Sequence, residues 1–293
     1  IYVVGRTEHI AWWVENTGAG VFAAPVTVSA DTATVFFATA TDAAGNVSAC
    51  SPDGIEYVHD GTPPSPPTLS GTNPPSPASA LAPQVLGMAE PLATVRFFVG
   101  GNCSSDPVGQ AVAGEDGSFD APATVFANTS TTLTANATDA AGNVSDCSAA
   151  LVYVHDDEQP VIPGFMGTDP PSPSNQSLTP SLLGTAESDA VVRVYGSAGC
   201  AGDVVATTTT GADGNFTVGV TVEANTATTF YATSEDSAGN VSPCSPKGIE
   251  YVHDDVAPAA PSVAGTTPES PSNSDLTPVV SGSAEPNASV KTR

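Results

Sequence analysis

Basic residues are scarce in this sequence, and their scarcity excludes several kinds of protein. Only six of the 293 residues are lysine or arginine, against 31 aspartates and glutamates, so the net charge is −25. Nucleic-acid binding requires clustered basic side chains that displace counterions from phosphates, so we expect no nucleic-acid partner. An anionic membrane surface would repel a chain of this charge.

Long hydrophobic runs and helical patterns are also missing from the sequence. No stretch approaches the roughly 18 consecutive apolar residues of a transmembrane helix, so we expect no membrane insertion. No long segment carries an apolar stripe at helical spacing. Hydrophobic residues nevertheless make up 40% of the chain, which is more than a disordered protein has. We therefore expect a folded protein rich in β-structure.

Short runs of β-branched and aromatic residues supply the β pattern. Residues 94–99 are rich in such residues, and residues 131–138 alternate as half-buried strands do. The Asp-Gly pairs at 116–117 and 213–214 predict hairpin turns, because Asp-Gly tolerates the positive φ angles that these turns require. Short strands with a turn about every ten residues predict an all-β fold of antiparallel sandwiches.

The chain is an internal tandem repeat. The motif Asp-x-Ala-Gly-Asn-Val-Ser begins at Asp42, Asp139 and Asp236, at equal intervals of 97 residues. Each copy is followed by a Tyr-Val-His-Asp segment, a stretch rich in proline and serine, and a Gly-x-Ala-Glu block. Each repeat therefore has the size of one ordinary domain.

These blocks resemble a known group of repeats. Gly-Thr-Ala-Glu, Asp-Gly-x-Phe and Ala-Thr-Asp-Ala-Ala-Gly-Asn-Val-Ser are similar to the bacterial immunoglobulin-like repeats of large surface proteins. The resemblance covers essentially the whole chain and implies tandem immunoglobulin-like sandwiches in an elongated array. The predicted domains are the C-terminal part of one repeat (1–60), two complete repeats (61–157 and 158–255) and the N-terminal part of another (256–293).

The five cysteines follow the same period. Cys103 and Cys147 are 44 residues apart, as are Cys200 and Cys244. Repeated spacing without a Cys-x-x-Cys cluster favours two disulfides within repeats over a zinc site. Cys50 is left unpaired, because the position of its expected partner is occupied by an arginine.

An alternative bridge between repeats, Cys103–Cys244, stays open at this point. In an ordinary immunoglobulin strand order, Cys103 and Cys147 would lie at opposite ends of the sandwich, whereas a disulfide requires Cα atoms within about 7 Å. Either pairing indicates an oxidising compartment, so we expect an extracellular or cell-surface location.

No catalytic constellation is recognisable, and we expect that the protein is not an enzyme. His59, His155 and His253 share one repeat phase, so they are spread along the chain instead of being gathered in one cleft. We interpret them as terminal-strand residues at the domain junctions. Periodic carboxylates are poor candidates for acid–base catalysis, since an active site is normally built once.

Acidic and amide residues recur where successive repeats should join. Ca²⁺ prefers six to eight oxygen ligands from carboxylates, amides and carbonyls. The sequence therefore predicts one calcium ion per junction; the alternative is a solvated acidic surface with turn-capping side chains. The candidate ligands at the three junctions are Asp60, Glu90, Asp139 and Asn143; Asp156, Asp157, Glu187, Asp236 and Asn240; and Asp254, Asp255 and Glu285.

Trp12 and Trp13 are the candidate residues for ligand binding. They have no counterpart in the other repeats, and exposed aromatic side chains at this position would suit a glycan or a cell-surface ligand. The alternative is that they pack between repeats or against a neighbouring chain.

The sequence as a whole predicts a structural segment of an extracellular fibre, stalk or surface filament. Its partners would be neighbouring repeats or copies of itself. Adhesin repeats that bind a ligand or a cell, and a passive spacer in a secreted multidomain enzyme, stay open as alternatives. The chain stops near the repeat phase at which it starts. Chains could therefore join head to tail by strand complementation, unless the sequence is a window of a longer repeat protein.

Overall fold

The computed structural model describes the backbone of residues 2–5 and the full residues 20–291, and these ranges contain nineteen β-strands. One short 3-10 turn, Ala198–Cys200, accompanies the strands. The all-β prediction is therefore confirmed. Contacts divide the chain into two units, Ile1–Glu158 and Gln159–Arg293, and each unit contains one complete and one partial repeat.

The first unit begins with a partial repeat, whose described residues contain three strands: β1 (Tyr2–Gly5), β2 (Ala33–Thr39) and β3 (Ile55–Val58). They form one antiparallel sheet with β2 in the middle. The register places Phe37 opposite Val4 and Thr34 opposite Tyr57. Residues 20–32, which correspond to the Asp-Gly-x-Phe region of the other repeats, contain no strand.

The complete repeat of the first unit has seven strands: β4 (Thr68–Asn73), β5 (Gln84–Met88), β6 (Thr94–Val99), β7 (Pro107–Val112), β8 (Ser118–Pro122), β9 (Ser130–Thr138) and β10 (Leu151–Val154). They form two antiparallel sheets, β4-β5-β8 and β10-β9-β6-β7. Alternate residues of β9, among them Leu133, Ala135 and Ala137, are buried, as expected for a strand with one face against the core. Val85 from the three-stranded sheet packs in one cluster with Phe97 and Tyr153.

The complete repeat of the second unit has the same organisation. Its strands are β11 (Gly164–Asp169), β12 (Ser181–Thr185), β13 (Val191–Tyr195), β14 (Val204–Thr209), β15 (Asn215–Gly219), β16 (Ala227–Glu235) and β17 (Ile249–Val252). They form the sheets β11-β12-β15 and β14-β13-β16-β17. Leu182 packs here with Phe216, Phe230 and Tyr251. Two further strands, β18 (Ser262–Thr267) and β19 (Val279–Ser283), pair antiparallel in the final partial repeat.

The two Asp-Gly pairs form tight turns, but these turns do not connect hairpins. Gly117 and Gly214 have φ angles of 82° and 74°. Asp116 and Asp213 each accept a hydrogen bond from the N–H two residues further on, at 3.0 and 3.1 Å. The flanking strands β7 and β8 belong to different sheets, and so do β14 and β15. The hairpin prediction is wrong, because a dipeptide determines the turn conformation but not which sheet the next strand joins.

Candidate functional site

Each complete repeat contains one disulfide bond. Cys103 is bonded to Cys147 with a Cα–Cα distance of 5.8 Å, and Cys200 is bonded to Cys244 with a Cα–Cα distance of 5.6 Å. The pairing lies within each repeat, so the alternative bridge between Cys103 and Cys244 is not formed.

The path of the chain after β9 explains how the Cα atoms of the first pair come together. The chain turns at Asp139 and runs back along β9, where the N–H groups of Ser145 and Ser148 donate to the carbonyls of Ala137 and Ala135. This return segment carries Cys147 from the turn back along β9 to the level of Ala135, beside Thr134, whose hydroxyl lies 3.6 Å from the sulfur of Cys103. The objection from an ordinary strand order is therefore wrong, because it placed this cysteine at the turn.

Cys50 is free and exposed in the first partial repeat. Its counterparts in the complete repeats, Cys147 and Cys244, are both disulfide-bonded. The position of its expected partner, Arg6, lies outside the described residues, and so do Trp12 and Trp13. Ligand binding by the two tryptophans stays a prediction.

In each Asp-x-Ala-Gly-Asn motif, the aspartate carboxylate stabilises the turn that the motif forms. Asp139 accepts the N–H of Asn143 at one oxygen (2.9 Å) and the side-chain N–H of Asn143 at the other (2.9 Å). Asp42 and Asp236 have the same two bonds to Asn46 and Asn240. The Asn143 side chain is the main cause that lowers the pKa of Asp139 from its usual 3.8.

This turn also meets the segment that enters the repeat from the preceding one. The side-chain amide of Asn143 donates to the carbonyl of Asp60 at 3.1 Å. The carboxylate of Asp60 accepts the N–H of Thr62 at 3.0 Å, so it closes a turn in the entering segment. Three candidate ligands from the first junction, Asp60, Asp139 and Asn143, are therefore neighbours.

The remaining candidate ligands form local bonds. Asp156 and Asp254 each accept the N–H two residues further on, at 3.0 and 3.1 Å. The N–H groups of Asp157 and Asp255 donate to asparagine side chains of their own repeats at 3.0 and 2.9 Å. Three glutamates close their turns through the main chain, each accepting the N–H of an alanine three residues further on: Glu90, Glu187 and Glu285.

Calcium binding therefore stays a prediction. Within residues 2–5 and 20–291, no group of three carboxylate, histidine or cysteine side chains is placed to hold a metal ion. Beside Asp60 the contact is an N–H of Asn143, which is a donor and not a metal ligand. A cation could bind beside Asp60 only if the side-chain amide of Asn143 rotated, so that its oxygen replaced its N–H group there.

The histidines have a structural role that the sequence showed only in part. His155 is 1% exposed, and its Nδ1 accepts the N–H of Asn128 at 3.0 Å. Its Nε2 therefore carries the proton and donates to the carbonyl of Ser79 at 3.1 Å. The neighbouring Tyr153 is fully buried, and its hydroxyl donates to the carbonyl of Ala80 at 3.0 Å. Burial raises the pKa of this hydroxyl.

These bonds tie the last strand to the segment that follows the first strand of the same repeat. Ala78 and His155 form a parallel β-bridge, and Ser174 and His253 form the equivalent bridge in the second unit. The hydroxyl of Tyr251 likewise donates to Ser177, at 2.9 Å. We call this contact between the last strand and the Ser-Pro segment (76–80 or 172–177) the latch.

The sequence contains a signal for the latch, but the repeat period alone does not show that the two motifs are in contact. Tyr-Val-His-Asp and Ser-Pro recur together at fixed phases, which is compatible with a contact between them. The predicted place of the histidines at the end of the terminal strand is correct. The burial of His155 and His253 against a segment almost 80 residues earlier depends on the closure of the sandwich, which a local pattern does not specify.

Each complete repeat is thus a two-sheet antiparallel sandwich with one disulfide and one latch, and these features define tandem domains of the immunoglobulin type. The family model described as a bacterial Ig domain matches residues 76–156 and 170–246, which is more than half of the chain. The chain belongs to this family, so the resemblance noted in the sequence is confirmed.

The chain is also similar, at low sequence identity, to parts of two solved structures. A structure described as the BSP domain of a biofilm associated protein is 19% identical over 62% of this chain and 29% of its own, with a TM-score of 0.26. A structure described as the D00-D0 domain of intimin is 14% identical over 64% of this chain and 98% of its own, with a TM-score of 0.26. The chain spans less than a third of the first of these structures. No curated protein matches the chain.

Within the part of the chain that the structure describes, no helix has the length and apolar character needed to cross a bilayer.

Proposed function

We propose that the chain is a non-catalytic structural segment of an extracellular fibre, stalk or surface filament, whose work is mechanical reach and display. The observation that carries the proposal is the latch, which recurs in both complete repeats between the last strand and a segment near the start of the repeat. Strands joined side by side in parallel resist a pull on the two ends of a domain.

The hydrogen bonds of the latch lie across the direction of such a pull. The N–H of Ala78 donates to Val154 at 3.2 Å, and the N–H of Asp156 donates back to Ala78 at 3.1 Å. The hydroxyl of Ser76 accepts the N–H of Val154 at 2.8 Å. Because the two segments run in parallel, a pull moves them apart along their length and loads these bonds together. Bonds that must break together raise the barrier to forced unfolding, which governs its rate.

The disulfides support the same proposal. Each closes a loop of 44 residues inside its repeat, and this loop cannot extend even if the rest of the repeat unfolds. Stable disulfides persist in oxidising environments, which supports an extracellular or cell-surface location.

Calcium is part of the proposal as an agent that stiffens the junctions. The meeting of Asn143 with Asp60 supports it, because a carbonyl, a carboxylate and an amide already lie side by side there. Calorimetric titration with calcium should give heat of binding, and chelation should lower the melting temperature. No heat and an unchanged melting temperature would remove calcium from the proposal.

Single-molecule pulling on the oxidised chain tests the mechanical role. We expect two unfolding events from the complete repeats. Each should release about 150 Å less chain than after reduction, since the closed loop of 44 residues does not extend. The variant Ser76→Ala removes the hydroxyl that bonds Val154 and should lower the unfolding force of the first complete repeat only.

The second complete repeat serves as an internal reference in this experiment, and Ser104→Ala serves as the matched control. Ser104 is an exposed loop residue that bonds only the neighbouring Asn102 side chain, at 2.8 Å. If Ser76→Ala and Ser104→Ala unfold at the same force, the latch does not carry load and the mechanical proposal fails.

A further inference from the structure

The four-stranded sheets of the two complete repeats carry one arginine each, and the two arginines have different partners. Arg96 on β6 and Arg193 on β13 occupy the same repeat position, and both side chains are half-buried. Arg193 forms an ion pair with Glu235 on the neighbouring strand β16. Thr138 takes the place of Glu235 in the first complete repeat, and Arg96 donates to its hydroxyl at 3.2 Å. The first complete repeat therefore has the cation without the carboxylate.

The guanidinium of Arg96 has donors that the protein does not use. A guanidinium has five N–H donors, and the bond to Thr138 is the one that this side chain makes to a described residue. Neither of the two ion pairs found among residues 20–291 includes Arg96. Removing a charge from water is costly unless the charge is paired. A half-buried cation of this kind therefore favours a negatively charged ligand from outside the repeat.

Two carboxamide side chains flank Arg96. The strand register places Gln110 of β7 opposite Arg96 on one side and Asn136 of β9 opposite it on the other. Side chains in such directly opposed positions share one face of the sheet, with Cβ atoms about 4.5–5.5 Å apart. We call these three residues the Arg96 row. The second complete repeat has Thr207 and Thr233 in place of the two amides, so it does not contain this row.

The amide of Asn136 adds a donor beside the guanidinium. Its side-chain oxygen is buried and has no hydrogen-bond partner among the described residues. The end of this amide that a ligand can reach is therefore its N–H group. Gln110 is exposed, and an amide that faces water offers both a donor and an acceptor. The Arg96 row thus presents a charged and a neutral donor together, with an acceptor next to them.

This arrangement suits a carboxylate joined to hydroxyl groups. Guanidinium groups bind carboxylates through two parallel N–H donors, and such charge-assisted hydrogen bonds are stronger than neutral ones. A hydroxyl of the same ligand can donate to the amide of Gln110 or accept from it. The net charge of −25 repels polyanions, so a ligand with a single negative charge is favoured. Sugar acids combine these properties, because they carry one carboxylate on a hydroxylated ring.

We propose that the Arg96 row binds the carboxylate-bearing ring of an acidic sugar of the hexuronate type. The carboxylate accepts from the guanidinium of Arg96 and from the N–H group of Asn136, and a ring hydroxyl bonds the amide of Gln110. An acidic peptide offers the same carboxylate but few hydroxyls, so it is the competing ligand in the test. The proposal goes beyond the mechanical role, since none of these residues belongs to the latch.

Titration of the isotope-labelled chain with sodium glucuronate, followed by NMR at constant ionic strength, tests the proposal. Amide signals of residues 94–98, 108–112 and 134–138 should shift and saturate with a Kd of about 1–10 mM, as expected for a few exposed hydrogen bonds. Glucose has a similar ring without the carboxylate and should bind at least about tenfold more weakly. N-acetylaspartate amide has the carboxylate without the ring and should also bind more weakly than glucuronate.

Two substitutions remove the site in different ways. Arg96→Gln removes the charge but keeps a long polar side chain, and it should weaken glucuronate binding about tenfold or more. Thr138→Glu supplies the carboxylate that Glu235 supplies in the second complete repeat, so the guanidinium is occupied and binding should fall similarly. Thr132→Glu is the matched control. It adds the same charge to the same face of β9, about 13 Å along the strand from Asn136, and should bind like the original chain.

Melting of the first complete repeat separates loss of the site from loss of the fold. Thr138→Glu keeps the arginine and reproduces a pair that the second complete repeat already contains, so its melting temperature should not fall. This variant decides the question if Arg96→Gln destabilises the repeat.

Four results would overturn the proposal: no saturable shifts with glucuronate, equal binding of glucose, equal binding of N-acetylaspartate amide, or unchanged binding in Thr138→Glu. Equal loss of binding in Thr132→Glu and Thr138→Glu would overturn it too, because general charge repulsion would then explain the loss. None of these results touches the mechanical function, because the pulling experiment measures the latches of the complete repeats.

Discussion

The Nε2 atom of His155 lies 3.1 Å from the carbonyl oxygen of Ser79, 76 residues earlier in the chain. This bond joins the last strand of the repeat to the Ser-Pro segment near its start. The ring also accepts the N–H of Asn128, so both of its nitrogens are used. The imidazole ring therefore links three segments of the repeat.

Replacing this ring should destabilise one repeat only. His155→Ala removes two hydrogen bonds and a buried side chain, and we expect a loss of about 2–3 kcal/mol from the free energy of unfolding of the first complete repeat. Scanning calorimetry should show its transition at lower temperature, with the second complete repeat unchanged.

His59→Ala is the matched control for this substitution. The side chain of His59 is 40% exposed and lies in the partial repeat, so we expect a change within about 0.5 kcal/mol. Equal effects of the two substitutions would contradict a stabilising role for the latch.

The disulfides should contribute most of their stability by restricting the unfolded chain. Closing a loop of 44 residues corresponds to about 4 kcal/mol on the chain-entropy account. The double variant Cys103→Ser with Cys147→Ser should lower the free energy of unfolding of its repeat by an amount near this value, measured by denaturant titration. Cys50→Ser removes a free, exposed thiol and should leave the midpoint unchanged.

Acid should weaken the first unit through the turn at Asp139. The side-chain N–H of Asn143 holds the pKa of Asp139 below 3.8, so the carboxylate is favoured in the folded state. Such a group stabilises the fold above its unfolded pKa of about 3.9, and this contribution is lost as pH falls through the lower folded value. In Asn143→Ala, the free energy of unfolding should therefore fall less steeply as the pH is lowered below about 4.

Denaturant midpoints measured from neutral to acidic pH check this prediction. Asp120→Asn is a suitable control, because it removes one exposed carboxylate from β8 and leaves the turn intact. It should preserve the steepness that Asn143→Ala reduces. An unaltered acid profile in Asn143→Ala would show that this turn does not contribute to acid sensitivity.

Close packing at Gly184 gives a further prediction. A Cβ atom there would lie 2.4 Å from Cζ of Phe216 and 2.5 Å from the carbonyl oxygen of Gly164. Since the backbone cannot yield as a flexible side chain does, Gly184→Ala should cost about 1–3 kcal/mol. Calorimetry of the second complete repeat measures it. Gly219→Ala, where a Cβ would meet nothing within 4 Å, should have a much smaller effect.

Much of the architecture could be predicted from periodicity. The interval of 97 residues between Asp42, Asp139 and Asp236 indicates tandem domains, and the cysteine spacing indicates the bridges that the structure contains. The route to those bridges could not be predicted. Cys147 reaches its partner because the chain doubles back along β9, and the hydrogen bonds of that return join residues that no local motif connects.

The candidate sites were predictable to different degrees. The carboxylates were correctly placed in turns, and Asn143 does meet Asp60. Their orientations depend on competition for hydrogen bonds, and in each motif the carboxylate of the aspartate is bonded to the asparagine of its own turn. A sequence shows that acidic residues recur, but not which donors their oxygens already bind.

The sequence by itself determined the all-β class and the repeat frame, and it favoured the pairing of cysteines that the structure contains, because alternation, turn chemistry and spacing are local or periodic properties. Only the tertiary structure decided that β8 crosses to the other sheet and that His155 is buried against Ser79. The physical reason is that burial and sheet partnership depend on contacts between residues distant in sequence. Those contacts form only when two sheets close on one core.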